Sequence, residues 1–266
     1  MARVRVLDTK PTDCTFAKIR KGDTETVSGE RVAAVVGASS GIGRATAVRF
    51  LRQGWRVAVM ARRGALLDTL LQAEGAADAH RGWAHAGDAT RLAEVQAFVD
   101  GTVARMGRID ALVLNTGLNI RHRALADLTP EDWRRMIAAN LDSAYYGTHA
   151  ALPHLRRQDG GLILYISSVG ALQADASGAA YQAAKHGITG LANAVRVEEQ
   201  RHGIRVSVVF PGMVNTPLVL ERPVVPTPER LAACLQPEDV AACCTFIADQ
   251  PPHVLIPELV IRPALV

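Results

Sequence analysis

Three residues carry most of the chemistry written in this chain: Ser168, Tyr181 and Lys185. Tyr181 and Lys185 stand four apart in the helical run Ala179 to Gln200, a spacing that stacks them on one face. An ammonium beside a phenol favours the phenolate and draws the tyrosine pKa from about 10 toward neutrality. The phenol then serves as a general acid or base. Ser168 follows the apolar run Leu162 to Ile166, and its hydroxyl can hold a substrate oxygen while the proton moves. A Tyr-x3-Lys pair alone is a weak signal, because most such pairs are ordinary helix surface. Its weight here comes from what lies upstream.

Upstream, the apolar run Val32 to Val36 feeds into Gly37-Ala38-Ser39-Ser40-Gly41-Ile42-Gly43, and the amphipathic run Ala45 to Leu51 follows. That pattern predicts a strand, a tight turn and a helix. Glycines let backbone N–H groups approach a ligand that a Cβ would exclude, and the helix start suits a phosphate. The spacing differs from the G-x-G-x-x-G fingerprint and lacks a P-loop ending. A second apolar run, Val57 to Met60, ends in Ala61-Arg62-Arg63 with no carboxylate. In dinucleotide folds an acid at this point takes the ribose 2′-hydroxyl, whereas arginine accommodates a 2′-phosphate. Arg62 and Arg63 therefore point to NADP(H), against the plainer reading of a solvated loop of charge. Asp88, followed by Ala89, either accepts from an adenine amino group or caps a helix starting near Thr90. Asn115-Thr116-Gly117 forms a further small polar turn.

These residues need a scaffold, and the hydrophobic pattern supplies one. Strands are expected at 32–36, 56–60, 82–86, 110–114, 161–166, 204–209 and 257–261, and helices at 42–53, 64–74, 90–106, 130–155, 178–202 and 237–248. Strand alternating with helix gives an α/β fold: a single doubly wound Rossmann-type domain, with a parallel seven-stranded sheet covered by helices on both faces. Ligands then bind at the carboxyl ends of the strands. The domain is expected over 29–266. Residues 1–28 are polar and broken by Pro11 and Gly22, and read as a flexible or loosely docked extension with an edge strand near Val4 to Leu7.

Composition narrows the partners. The 266 residues are 48% apolar and 21% charged, with a net charge of +4. The arginines are scattered, and no basic block interleaves with aromatics, so no nucleic-acid partner is expected. No apolar run reaches membrane-span length and no secretory h-region opens the chain, so a cytoplasmic protein is expected. Cys14, Cys234, Cys243 and Cys244 form no C-x2-C pair and read as small apolar residues; no metal is expected. The histidines make no zinc-protease helix. Arg121-His122-Arg123 reads as a solvated basic loop, with an acidic substrate as the sharper alternative.

Gly37-x3-Gly41-Ile42-Gly43, Asn115-x-Gly117, Asn140, Ser168 and Tyr181-x3-Lys185 together resemble the short-chain dehydrogenase/reductase family over about residues 31 to 262. The resemblance implies that the tyrosine is the proton donor or acceptor and that the serine orients the carbonyl or hydroxyl. It implies that the lysine holds the nicotinamide ribose, and that Asn140 kinks its helix and helps fix a water in a proton relay. It places Pro211, Gly212 and Val214 at the nicotinamide carboxamide and Thr216 at the pyrophosphate. Two departures from the family pattern stand out. Val36 replaces a threonine that would tie the turn, and Leu114-Asn115-Thr116-Gly117 stands where Asn-Asn-Ala-Gly is usual.

After Thr216 come Pro217, Pro223, Pro226 and Pro228, which are expected to limit helix formation and leave a substrate-covering loop. Gln173 and the stretch from Met213 through Leu218 to Leu220 are expected to shape the substrate pocket. The run Pro251 to Pro263 looks like the end of a subgroup that acts on small hydroxy or keto compounds with NADP(H). The family is usually a homotetramer or homodimer. The reading is an NADP(H)-dependent oxidoreductase acting on a small carbonyl or secondary alcohol substrate. The rivals are a non-catalytic NADP-binding regulator on the same fold and a dehydratase or epimerase that keeps its nicotinamide bound.

Overall fold

Buried on both faces, a parallel strand must be apolar along its whole length. Seven strands form one sheet, β1 (Val32–Val36), β2 (Arg56–Ala61), β3 (Gly82–Ala86), β4 (Ala111–Leu114), β5 (Gly161–Ile166), β6 (Ile204–Pro211) and β7 (Glu258–Ile261); the inner strands are buried runs, and the edge strands β3 and β7 are partly exposed. The structure, a computed structural model, describes residues 30–78, 80–174 and 178–264. The extension 1–28, the strand expected near Val4 to Leu7 and Cys14 lie outside the described residues. Every strand pair is parallel and the order is β3-β2-β1-β4-β5-β6-β7. The winding reverses between β1 and β4, the place where an open α/β sheet leaves a crevice.

Alternating residues of each strand point to opposite faces. Ala33, Val35, Val57 and Val59 pack with Phe50 of α1 (Gly41–Arg52), Leu67 and Leu70 of α2 (Gly64–Ala73), and Val240 and Ile247 of α8 (Pro237–Ala248). Val32, Ala34, Val36, Ala58 and Met60 pack on the other side with α3 (Leu92–Met106), α5 (Ser143–Arg157) and α6 (Ala179–Glu199) through Phe98, Leu155 and Ile188. Cys234 and Cys244 are buried and Cys243 is half-buried, all with free thiols. No described helix is long and apolar enough to cross a membrane. Among the described residues no cluster of His, Cys, Asp and Glu could hold a metal ion.

Four expectations need correction. The helix expected from residue 90 starts at Leu92, because the Asp88 carboxylate accepts from the Thr90 N–H and hydroxyl, both at 2.9 Å, and forms a turn first. The run 130–155 is not one helix. It is α4 (Pro130–Ile137), a π-helical turn (Ala138–Asp142) and then α5. Of the four prolines after Thr216, Pro223 and Pro226 lie in a non-helical stretch as expected, but Pro217 and Pro228 begin helical turns. Pro217 opens a 3-10 turn (Pro217–Glu221), and Pro228 opens α7 (Pro228–Ala233) behind a Thr227 cap. The first helical N–H has no intrahelical partner, so proline loses nothing there. Finally, Arg121 and His122 are exposed but Arg123 is buried, so the basic loop is not solvated throughout.

Candidate active site

The crevice at the switch point is about 770 Å³ in volume, within the usual range for a ligand site. Loops far apart in sequence meet there. Gly37, Ser39, Ser40, Gly41 and Ile42 come from the β1–α1 turn, Arg62 and Arg63 follow β2, Asp88 and Ala89 follow β3, and Asn115, Thr116 and Gly117 follow β4. Thr216 and Leu218 close it from the segment after β6.

The turn is built so that only glycine serves. Gly37 and Gly41 have φ of 86° and 54°. A Cβ on Gly43 would lie 2.2 Å from the Gly37 carbonyl oxygen. Val36 brings no hydroxyl, yet the turn is tied down by other bonds. Met60 O accepts from Gly37 N at 2.8 Å and from Ala38 N at 3.1 Å, and Asn115 Nδ2 donates to Gly37 O at 3.2 Å. Ser40, ahead of α1, makes no side-chain cap, and the first turn carries no acid. The open N–H groups and the positive end of the helix dipole therefore suit an anion.

Arg63 reaches over the turn, where Nη2 donates to Ser39 Oγ at 2.9 Å and to Ser40 Oγ at 3.0 Å. Burial pushes the Asp88 carboxyl up, but the two Thr90 donors, with Arg62 and Arg91 nearby, outweigh it and hold it below its usual value. Thr116 Oγ1 is buried with no hydrogen-bond partner among the described residues, a group that a ligand would satisfy. These features fit a dinucleotide.

A second, smaller cavity of about 120 Å³ adjoins the first, and Ile42, Thr216 and Leu218 line both. Ser168 and Tyr181 open onto it, with Pro211, Gly212, Met213 and Val214. Ser168 sits in extended backbone before the 3-10 turn Val169–Ala171, and its Oγ accepts from Gly170 N at 3.1 Å. That bond uses a lone pair and leaves the hydroxyl proton to donate. Tyr181 and Lys185 are both buried on α6. Lys185 Nζ lies 5.6 Å from the centroid of the tyrosine ring and donates to Ile166 O at 3.1 Å. Burial draws the Lys185 ammonium down to about 8.

Asn140 occupies the π-helical turn and is fully buried. Its Nδ2 donates to Leu118 O and to Met136 O, each at 2.9 Å, and its Oδ1 accepts from Leu118 N at 3.2 Å. The side chain thus fastens the loop after β4 to the interrupted helix. Gly117, in that loop, lies beside both Asn140 Oδ1 and Lys185 Nζ.

The chain has relatives among known proteins. A family model described as short chain dehydrogenase matches residues 31–223. The chain belongs to the short-chain dehydrogenase/reductase family. A cis-4-hydroxycyclohexanecarboxylate dehydrogenase of Sinomonas cyclohexanicum is 35% identical over 233 residues, covering 82% of this chain and 89% of the relative. A metagenomic short-chain oxidoreductase solved with NADP has a TM-score of 0.76 at 32% identity, covering 90% of this chain and 99% of its own. A 3-ketoacyl-(acyl-carrier-protein) reductase from Brucella melitensis, solved with NADH, has a TM-score of 0.80 at 25% identity, over 89% and 98% of the two chains. As a member of this family, the protein is a nicotinamide-dependent oxidoreductase of small molecules, acting between alcohol and carbonyl.

Among the residues expected at the substrate, the structure brings Ser168, Tyr181, Met213 and Leu218 into the small cavity of this short-chain dehydrogenase. Gln173 is exposed and accepts from Arg262 Nη2 at 3.0 Å, outside the lining, and Leu220 is 45% exposed. Four lining residues lie outside the sequence reading: Asn119, Ser167, Val169 and Arg222. Asn119 sits two residues past the recognised Asn115-Thr116-Gly117 turn. Arg222 is marked in the sequence as the cation of a Glu221-Arg222 pair set between two apolar runs and followed by Pro223.

Proposed function

We propose that the protein is an NADP(H)-dependent oxidoreductase in which Tyr181 is the general acid/base at the oxygen of a small carbonyl or secondary alcohol. The observation that carries this reading is continuity. The cavity holding Ser168 and Tyr181 shares three wall residues with the dinucleotide cleft, so a substrate oxygen at Tyr181 has its carbon beside the cleft. Bound in that cleft, the cofactor supplies or accepts hydride at the carbon. Ser168 donates to the substrate oxygen and fixes its position. Tyr181 gives that oxygen its proton in reduction and takes it in oxidation. Lys185, charged below about pH 8, lies behind the ring and favours the phenolate form. Asn140 holds the loop that borders Lys185 and, by its place, serves the proton relay.

The 2′-phosphate falls to Arg62 and Arg63, which line the cleft next to Ser39 with no carboxylate at the end of β2. The same reading takes 29–266 as the short-chain dehydrogenase/reductase domain, and the protein as a cytoplasmic homotetramer or homodimer. The half-exposed Val260 of the edge strand β7 offers a second copy an apolar contact.

The test is fluorescence titration of NADPH and NADH against wild type and Arg62→Ala. NADPH is expected to bind at least about tenfold more tightly than NADH, as a charge-assisted phosphate pair implies. That preference is expected to collapse in the variant. Equal binding of NADH by wild type would overturn the NADP(H) assignment and leave the family reading standing.

A further inference from the structure

The small cavity has one charged wall. Of the residues that line it, only Arg222 bears a charge, and it stands on the far side of the 3-10 turn Pro217–Glu221 from Thr216. Its backbone is set by its neighbours. Arg222 N donates to Val219 O at 3.3 Å, and the residue before a proline is held extended, here at φ −75° and ψ 148°.

The guanidinium is poorly served by the protein. Among the described residues it donates from Nη1 to the Met213 sulfur at 3.6 Å, and a thioether is a weak acceptor. Other half-buried arginines are treated differently. Arg56, Arg81, Arg196 and Arg205 donate to backbone carbonyls, and Arg108 pairs with Asp110. Among the described residues no carboxylate lies within ion-pair distance of Arg222, and the neighbouring Glu221 is 3.9 Å from Arg121. A fork of donors on the wall of a small cavity, with a thioether as its recorded protein partner among the described residues and no carboxylate within reach, suits a carboxylate.

The geometry points to a substrate that is a small hydroxy or keto acid, its carboxylate held by Arg222 while its carbonyl or hydroxyl meets Ser168 and Tyr181. This rests on the oxidoreductase reading above and names its substrate class. Size agrees with it. The cavity is about 120 Å³ and opens into the larger cleft, which suits a short substrate lying beside the cofactor. Val169, Val214, Leu218 and Val219 give the cavity apolar walls that suit the carbon skeleton between the two polar ends.

The experiment compares levulinate and acetoacetate with their methyl esters, with NADPH, in wild type, Arg222→Met and Arg222→Lys. Wild type is expected to favour each acid over its ester by about tenfold or more in kcat/KM, the scale of a lost charge-assisted partner. In Arg222→Met the acid-to-ester ratio falls toward one through KM for the acid, and Arg222→Lys restores part of it. A second readout needs no turnover. Butyrate, but not methyl butyrate, should raise the thermal midpoint of the NADP(H)-loaded wild type, and it should fail to do so in Arg222→Met. Neutral ketones turned over with no acid preference would overturn the carboxylate site and spare the oxidoreductase reading. Arg222-dependent butyrate binding with no turnover of any ketone would do the reverse. Butyrate binding equally to wild type and Arg222→Met would overturn the carboxylate site whatever the turnover.

Discussion

Tyr181 and Lys185 share one face of α6, but they meet different surroundings. The phenol opens onto the small cavity, whereas the ammonium is buried behind it against a single carbonyl. Replacing Tyr181 with Phe keeps the ring and removes the proton donor. Turnover is expected to fall by roughly 10²–10⁴-fold, the usual worth of a positioned acid or base, with NADPH affinity little changed by titration. Near wild-type turnover would assign the proton to another group.

Lys185 has a second consequence, for stability. Its pKa is about 8 when folded and 10.5 when exposed. The unfolded chain therefore binds more protons between these values, and stability rises with pH across that window. Below about pH 8 the full cost of the buried charge is present. Lys185→Met is expected to abolish turnover yet raise stability at pH 7 by on the order of 1–3 kcal/mol. The gain should shrink as pH approaches 10. Urea unfolding at the two pH values reads this directly, and a variant equally destabilised at both would contradict it.

At the scale of elements, the β1–α1 turn is the part with least freedom. A Cβ at Gly43 would lie 2.2 Å from Gly37 O and 2.6 Å from Asn115 Nδ2, both held by their own bonds. Gly43→Ala is expected to cost about 1–3 kcal/mol, as overpacking does. It should also weaken NADPH binding by separating the turn from the loop after β4. Thermal unfolding with and without NADPH would show both effects, and a variant matching wild type in both would mean the turn can yield.

The strands were legible because a doubly buried strand has to be an apolar run, as Leu162 to Ile166 is. The helix interruption at Asn140 was legible only by resemblance. Nothing local in Ala138-Ala139-Asn140-Leu141 announces a π-helical turn; the turn coincides with bonds from Asn140 to Leu118, 22 residues away. Pro217 and Pro228 depart from the expectation because a proline's effect depends on position. Within a helix they break it, and at the first residue they begin it.

At the scale of the whole molecule, the site exists because the sheet reverses its winding between β1 and β4 and brings distant loops to one edge. Distant ties hold the arrangement. Arg156 on α5 pairs with the buried Glu199 at the end of α6, and Asp110 accepts from Val32 N at 2.8 Å. The segment over the small cavity is closed at its base. Val214 bridges to Leu235, and Asn215 N donates to Leu235 O at 2.8 Å.

By itself, the sequence determined the α/β fold, the strand runs, the glycine turn and the serine, tyrosine and lysine. Each of these depends on residue type and short spacing, which the chain carries locally. Only the tertiary structure decided that Arg123 is buried, that Gln173 lies outside the small cavity and that Arg222 lies in it. A long polar side chain is placed by what packs around it, and those neighbours come from segments far away in the chain.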